Sequence, residues 1–332
     1  MRFEDVTFRN GETQLAGLLT MPEGYASYPA IAIVDGSGEG VRKDPLFAVL
    51  AELFGSAGFA TLTWDKPGYG DSTGSWANQT FEDRAHEAIA ATSYLRNRPD
   101  IKANSVGLWG VSQGGWVTPL AASLSNDIAF VISVSGPGVS PHDQEIYRVE
   151  HELRSDGISP EEIKQALAFY SGRLQMIRDG RSLEEIYALY PEEKLKSSVW
   201  VDYVPELGAN EVEFMTGIMD YDPRPILRAV RCPLLGIWGE TDRLVPALLS
   251  AEIFRQELEA GDNDDFTLKI FADADHGINT NETGSRTERA QRRERNERYF
   301  APGYFDLMKN WLSERYYAPV GAASLLRFPD VS

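Results

Sequence analysis

The stretch Gly107-Leu108-Trp109-Gly110-Val111-Ser112-Gln113-Gly114-Gly115-Trp116 constrains this chain more than any other. The residues leading into it, Ser105 to Trp109, are short, apolar and partly β-branched, which predicts a buried strand. Trp116 to Leu124 predicts a helix. Between them Gly110 to Gly114 fits G-x-S-x-G. A strand, a tight turn and a helix form the setting in which that pattern has a mechanical meaning. The turn forces the central residue into a strained backbone geometry and lifts its hydroxyl clear of the sheet. The flanking glycines keep side chains out of the place where strand and helix crowd together. Outside that setting, an ordinary glycine-rich loop gives the same five-residue match.

Strands and helices alternate on either side of this turn. Phe3 to Phe8 and Gln14 to Thr20 predict a hairpin around Asn10-Gly11. Pro29 to Val34 is a compact apolar run, as a central parallel strand would be. It ends in Asp35-Gly36-Ser37-Gly38. Further strands are predicted over Phe59 to Trp64, Ile128 to Ser133, Leu234 to Trp238 and Phe266 to Phe271. Helices are predicted over Pro45 to Ala57, Thr80 to Asn97, Pro246 to Ala260 and Tyr304 to Arg315, with an irregular tail after Tyr317. From Pro141 to Arg228 the periodicity is helical throughout, clearest over Glu161 to Ile177 and Leu183 to Tyr190. The expected fold class is therefore α/β: a mostly parallel sheet with helices on both faces. The expected division is core over 1–140, a helical cap insert over 141–228 and core again over 229–332. Ligands of such sheets sit beyond the carboxyl ends of the strands.

Composition narrows the function. Among 332 residues, Asp and Glu number 50 and Lys and Arg 32, a formal charge of −18. Such a surface repels nucleic acid and anionic membranes, so neither is an expected partner. The single cysteine, Cys232, excludes an internal disulfide and a cysteine-cluster metal site. No cofactor is called for. The N-terminal residues do not read as a signal peptide and no apolar run approaches a membrane span, so a cytoplasmic location is expected. The oligomeric state stays open, a homodimer included.

A serine hydroxyl is a poor nucleophile until a base takes its proton. The chain has four histidines: His86, His142, His151 and His276. His276 follows the last predicted strand, where a loop can lean over the turn at Ser112. The carboxylate that would orient it is Asp242, after the strand Leu234 to Trp238. Glu240, Asp273 and Asp275 are its rivals, and helix capping is an alternative role for Asp242. The oxyanion formed by attack needs two preorganised donors. The backbone amide of Gln113 is one. The amide of Ser37, with Gly36 as neighbouring candidate, is the other. The charged stretch Glu282 to Arg298 is expected to be a solvated, salt-bridged helix or loop. The insert's aromatics, such as Tyr147, Phe169, Tyr170, Tyr190, Trp200 and Phe214, either line an acyl pocket or bury the insert against the core.

Ser112, Asp242 and His276, in this order on this strand pattern, resemble the α/β-hydrolase superfamily. Asp65 to Ser72 is similar to the Asp-x-Arg-Gly-x-Gly-x-Ser segment of esterases and of the prolyl-oligopeptidase-like, dienelactone-hydrolase-like branch. Lys66-Pro67 stands where the arginine is usual. Relatives carry His-Gly where this chain has Asp35-Gly36, and Asp35 is expected to turn inward onto neighbouring backbone. The resemblance implies a serine carboxylesterase acting on small carboxylic esters. A peptidase, a thioesterase or a lactonase would use the same triad. A peptidase of the oligopeptidase branch usually carries a large propeller, whereas a short hairpin precedes the core here. A non-catalytic binding member of the fold is the remaining alternative.

Overall fold

The computed structural model describes residues 1–24, 27–188, 198–295 and 298–317. Strands β1 (Arg2–Asn10) and β2 (Thr13–Met21) pair as a hairpin, with Gly11 at φ 56° in the turn. Next come β3 (Tyr28–Val34), α1 (Pro45–Ser56), β4 (Ala60–Trp64), α2 (Phe81–Arg96), β5 (Ile101–Val111), α3 (Gly114–Leu124) and β6 (Val131–Val134). A run without strands among the described residues follows: α4 (Pro141–Ser155), α5 (Pro160–Arg178), α6 (Leu183–Ala188), a 3-10 turn (Val201–Tyr203), α7 (Ala209–Ile218) and α8 (Pro223–Ala229). The chain then completes β7 (Leu234–Gly239), α9 (Ala247–Ala260), β8 (Phe266–Phe271), α10 (Arg286–Glu294) and α11 (Tyr304–Tyr316). The predicted end of α6 at Tyr190 and the tail after Tyr317 lie outside the described residues.

The eight strands form one sheet in the order β1-β2-β4-β3-β5-β6-β7-β8. The pairs β1–β2 and β2–β4 are antiparallel, and every later pair is parallel. The central strands show why. In β3 every residue is buried, and alternate side chains enter different cores. Ala30, Ala32 and Val34 join the cluster under α2, α3 and α9, while Ile31 and Ile33 join the one under α1 and α11. A strand buried on both faces must be apolar at every position, which is the mark of a parallel sheet sandwiched by helices.

Two elements exceed their sequence expectation. β5 starts at Ile101, four residues before the apolar run, because Ile101 pairs with Tyr28 beyond an irregularity in the register. α3 starts at Gly114 although glycine is a weak helix former. A third cluster, including Val149, Leu153, Tyr170, Leu174 and Trp200, lies wholly within the 141–229 helical stretch. The charged segment near the C-terminus forms α10, capped by the Ser285 hydroxyl and carrying an Arg292–Glu288 pair at 2.8 Å.

Candidate active site

The ends of β3, β5, β7 and β8 bring four loops to the carboxyl edge of the sheet. Between β5 and α3, Ser112 sits at φ 56°, left-handed backbone that non-glycine residues rarely adopt. Its amide donates to Val134 O at 2.9 Å and its carbonyl accepts from Gly115 at 2.8 Å, so the turn is held from both sides. The glycines of the motif have a steric reason. A Cβ at Gly110 would run into the carbonyl of Gly114, and one at Gly114 into the carbonyl of Val34.

Asp242 and His276 meet across the ends of β7 and β8. His276 Nδ1 lies 2.8 Å from Asp242 Oδ2, and the Asp242 side chain is fully buried. Its other oxygen, Oδ1, accepts the amides of Leu244 at 2.7 Å and Val245 at 2.9 Å. Those bonds resemble a cap, yet the same carboxylate also orients the imidazole, so the two roles coexist. With Nδ1 engaged, Nε2 is the nitrogen left for proton transfer. The Ser135 hydroxyl donates to the His276 carbonyl at 2.8 Å and steadies the loop. No hydrogen bond joins Ser112 to His276 among the described residues; such contacts commonly tighten only when substrate binds.

The rival groups are engaged elsewhere. Asp275 Oδ1 accepts the amides of Gly277 and Asn279 in its own turn. Glu240 is exposed, as is His86. His142 pairs with Asp143, and His151 stacks on Tyr147 at 3.7 Å.

Ser112, Gln113 and Ser37 line one cavity of about 490 Å³. Neither the Ser37 nor the Gln113 amide has a hydrogen-bond partner among the described residues. The Gly36 amide, by contrast, donates to Asp35 Oδ1 at 2.7 Å, so of the two neighbours only Ser37 keeps a free amide among the described residues. Asp35 thus turns onto adjacent backbone. Its other oxygen lies 3.5 Å from Lys66 Nζ.

Sequence reasoning did not find the cations behind this loop. Lys66 Nζ donates to the carbonyls of Gly36 at 2.5 Å and Gly38 at 2.6 Å, one on each side of Ser37. Arg84 donates to Asp35 O at 3.0 Å, to Gly36 O at 3.4 Å and to the Gln113 side-chain carbonyl. Burial pushes the Lys66 ammonium down to about 7, with Arg84 adding to the fall and Asp35 opposing it. Burial likewise raises the carboxyl of nearby Glu87, which accepts from Trp64 and Gln79. The signal for Lys66 was its place directly after Asp65, at the end of a buried strand. Asp65 itself is structural. It accepts the amides of Arg42 and Asp71, and its own carbonyl accepts from Ser72.

The helical stretch closes the far side of the cavity. Phe214, Met215, Ile218 and Met219 supply apolar wall, and Glu145, Arg148 and Tyr170 form a polar corner. Burial alone would raise the Glu145 carboxyl, but Arg148 overcomes it and holds the group below its usual range. Of the other aromatics, Phe169 and Trp200 stay inside the helical cluster. Tyr147 donates to the backbone carbonyl of Asp242 at 3.0 Å, and Gln144 to that of Leu244 at 2.7 Å. Among the described residues no group of three His, Cys, Asp or Glu side chains converges as metal ligands would, and no helix is long and apolar enough to cross a membrane.

Comparison with solved structures matches the architecture to a known fold. An esterase of Pyrococcus furiosus superposes with a TM-score of 0.58 at 17% identity, covering 94% of this chain and 91% of that one. The chain has the α/β-hydrolase fold. Within this α/β-hydrolase, residues 88–200 match the family described as BAAT / Acyl-CoA thioester hydrolase C terminal. The esterase EstD of Thermotoga maritima is 24% identical over 267 residues, 79% of this chain and 57% of that protein. An uncharacterized 31.7 kDa protein of Escherichia coli is 24% identical over 234 residues, 68% of this chain and 77% of that protein. The chain is thus similar to proteins described as esterases and as thioester hydrolases.

Proposed function

We propose that this α/β-hydrolase is a serine hydrolase that cleaves small carboxylic esters through an acyl-enzyme on Ser112. The observation that carries the reading is the Asp242–His276 pair at the ends of β7 and β8, together with a left-handed Ser112 that lines the cavity. Ser112 Oγ attacks the acyl carbon while His276 Nε2 takes its proton. The oxyanion points at the unpartnered amides of Gln113 and Ser37. Collapse breaks the acyl–oxygen bond, and the proton on His276 goes to the departing alcohol. Water, deprotonated by the same histidine, then releases the acid and restores the Ser112 hydroxyl. The helical stretch acts as the cap that sets acyl size.

Hydrolysis of p-nitrophenyl esters from acetate to decanoate by wild type and Ser112→Ala tests this. The variant is expected to lose activity by about 10⁴-fold or more, and to lose labelling by a fluorophosphonate. Full activity in the variant overturns the assignment of the nucleophile. A thioester reading is favoured by the family match over residues 88–200. One acyl group presented as an oxygen ester and as an N-acetylcysteamine thioester separates the two by the ratio of kcat/KM.

A further inference from the structure

A second cleft of about 410 Å³ adjoins the cavity, and Arg148, Pro205 and Leu244 belong to both. One wall is a single face of α10. Arg286, Arg289, Ala290 and Arg293 fall at i, i+3, i+4 and i+7, so they project the same way. The opposite wall offers Arg148, Glu152, Asp202 and Tyr203.

The charges of this cleft are unevenly used. Glu152 takes both Arg148 and Arg289, and Arg289 also donates to Gly284 O. Arg286 lies over the Tyr203 ring at 4.9 Å and has no carboxylate partner among the described residues; Arg293 likewise has none. Asp202 is paired with neither. The Tyr203 hydroxyl donates to Asp156 at 3.0 Å, which fixes the ring that carries Arg286. Four guanidinium groups and two carboxylates line the cleft, and Glu145 beside it also takes Arg148 at 2.8 Å, so Arg286 and Arg293 are the guanidinium groups left without a carboxylate among the described residues, in a chain whose formal charge is −18. A stacked guanidinium keeps its N–H fork free, and that fork matches the geometry of a carboxylate or a phosphate.

We propose that this arginine cleft binds a fixed anionic group, carboxylate or phosphate, at the end of the substrate remote from the scissile acyl bond. The inference rests on Ser112 being the reacting residue of the adjoining cavity. A substrate that reaches past Arg148 and Leu244 places its far end between Arg286 and Arg293. Elsewhere the acidic surface repels such a group, so the cleft also sets which end enters first.

The test compares p-nitrophenyl esters of dicarboxylic acids, their far-end methyl esters and far-end phosphates. Wild type and Arg286→Gln/Arg293→Gln are assayed side by side; both positions are exposed, so the fold is not at risk. In wild type, KM for an anionic ester of matching length is expected to be about tenfold below that of its neutral partner, the effect of roughly one charge-assisted hydrogen bond. The double variant is expected to erase that ratio. An equal ratio in both proteins overturns the proposal. The carboxylate and phosphate arms show which group the cleft prefers. Calorimetric titration with adipate and with inorganic phosphate supplies an arm independent of turnover. If wild type hydrolyses none of the esters, the hydrolase reading falls, and the titration decides the cleft alone. Heat that disappears in the double variant supports it, and no heat in wild type overturns it.

Discussion

Asp242 shows how much one side chain is asked to do. Its two oxygens hold His276 in one tautomer and pin the start of the following segment. Asp242→Asn keeps the size but reverses one hydrogen bond. It should lower kcat by about 10⁴-fold with little change in KM, read from steady-state kinetics on one ester. Lys66 makes a different prediction. Its ammonium titrates near 7 in the folded chain against 10.5 unfolded. Between those values the unfolded chain holds more protons, so stability rises as pH climbs from 7 toward 10.5. Urea unfolding across that range should show the rise in wild type and not in Lys66→Met. The charged form, present below about 7, grips the carbonyls on either side of Ser37. Wild-type kcat/KM should therefore fall on the alkaline side of 7, a limb that Lys66→Met lacks. At this scale the sequence was legible for the turn at Ser112 and for the meeting of Asp242 and His276, because motif and strand ends fix their places. Lys66 and Arg84 were not legible, since their partners are backbone carbonyls, which leave no trace in residue identity.

Among the elements, α2 links stability to chemistry. Thr80 and Asp83 form a reciprocal cap at its start. One turn later the same helix carries Arg84 to the loop around Ser37. Thr80→Ala should cost about 1 kcal/mol in urea unfolding and, by loosening Arg84, also lower kcat. An unchanged kcat with the expected loss of stability would show that Arg84 is held by packing alone. The strands were legible from their apolar runs, and the helices from cap and periodicity. The start of α3 was not, because Gly114 and Gly115 are there for close packing against Val34 and Gly136 and oppose helix propensity. Nor was the docking of α4, since periodicity names the buried face of a helix without naming what covers it.

At the scale of the whole molecule, two apolar clusters flank the sheet and a third belongs to the helical stretch alone. Separate clusters can loosen separately. Leu174 is fully buried in the third, and Leu174→Ala should cost that region about 2–5 kcal/mol. Amide exchange in α5 is expected to quicken while β3 and β5 keep their protection; uniform acceleration would show a single cooperative unit. The joint between these regions is the segment after Asp242. Leu244 gives its amide to the Asp242 carboxylate, its carbonyl accepts from Gln144 of the helical stretch, and the residue lines both the cavity and the arginine cleft. Selection for a new substrate would therefore find this stretch closed to insertions and deletions, since any change of length there would displace the acid. Diversification is left to the helices on the other side of the cavity, whose lengths and faces can drift while the reacting groups stay where they are.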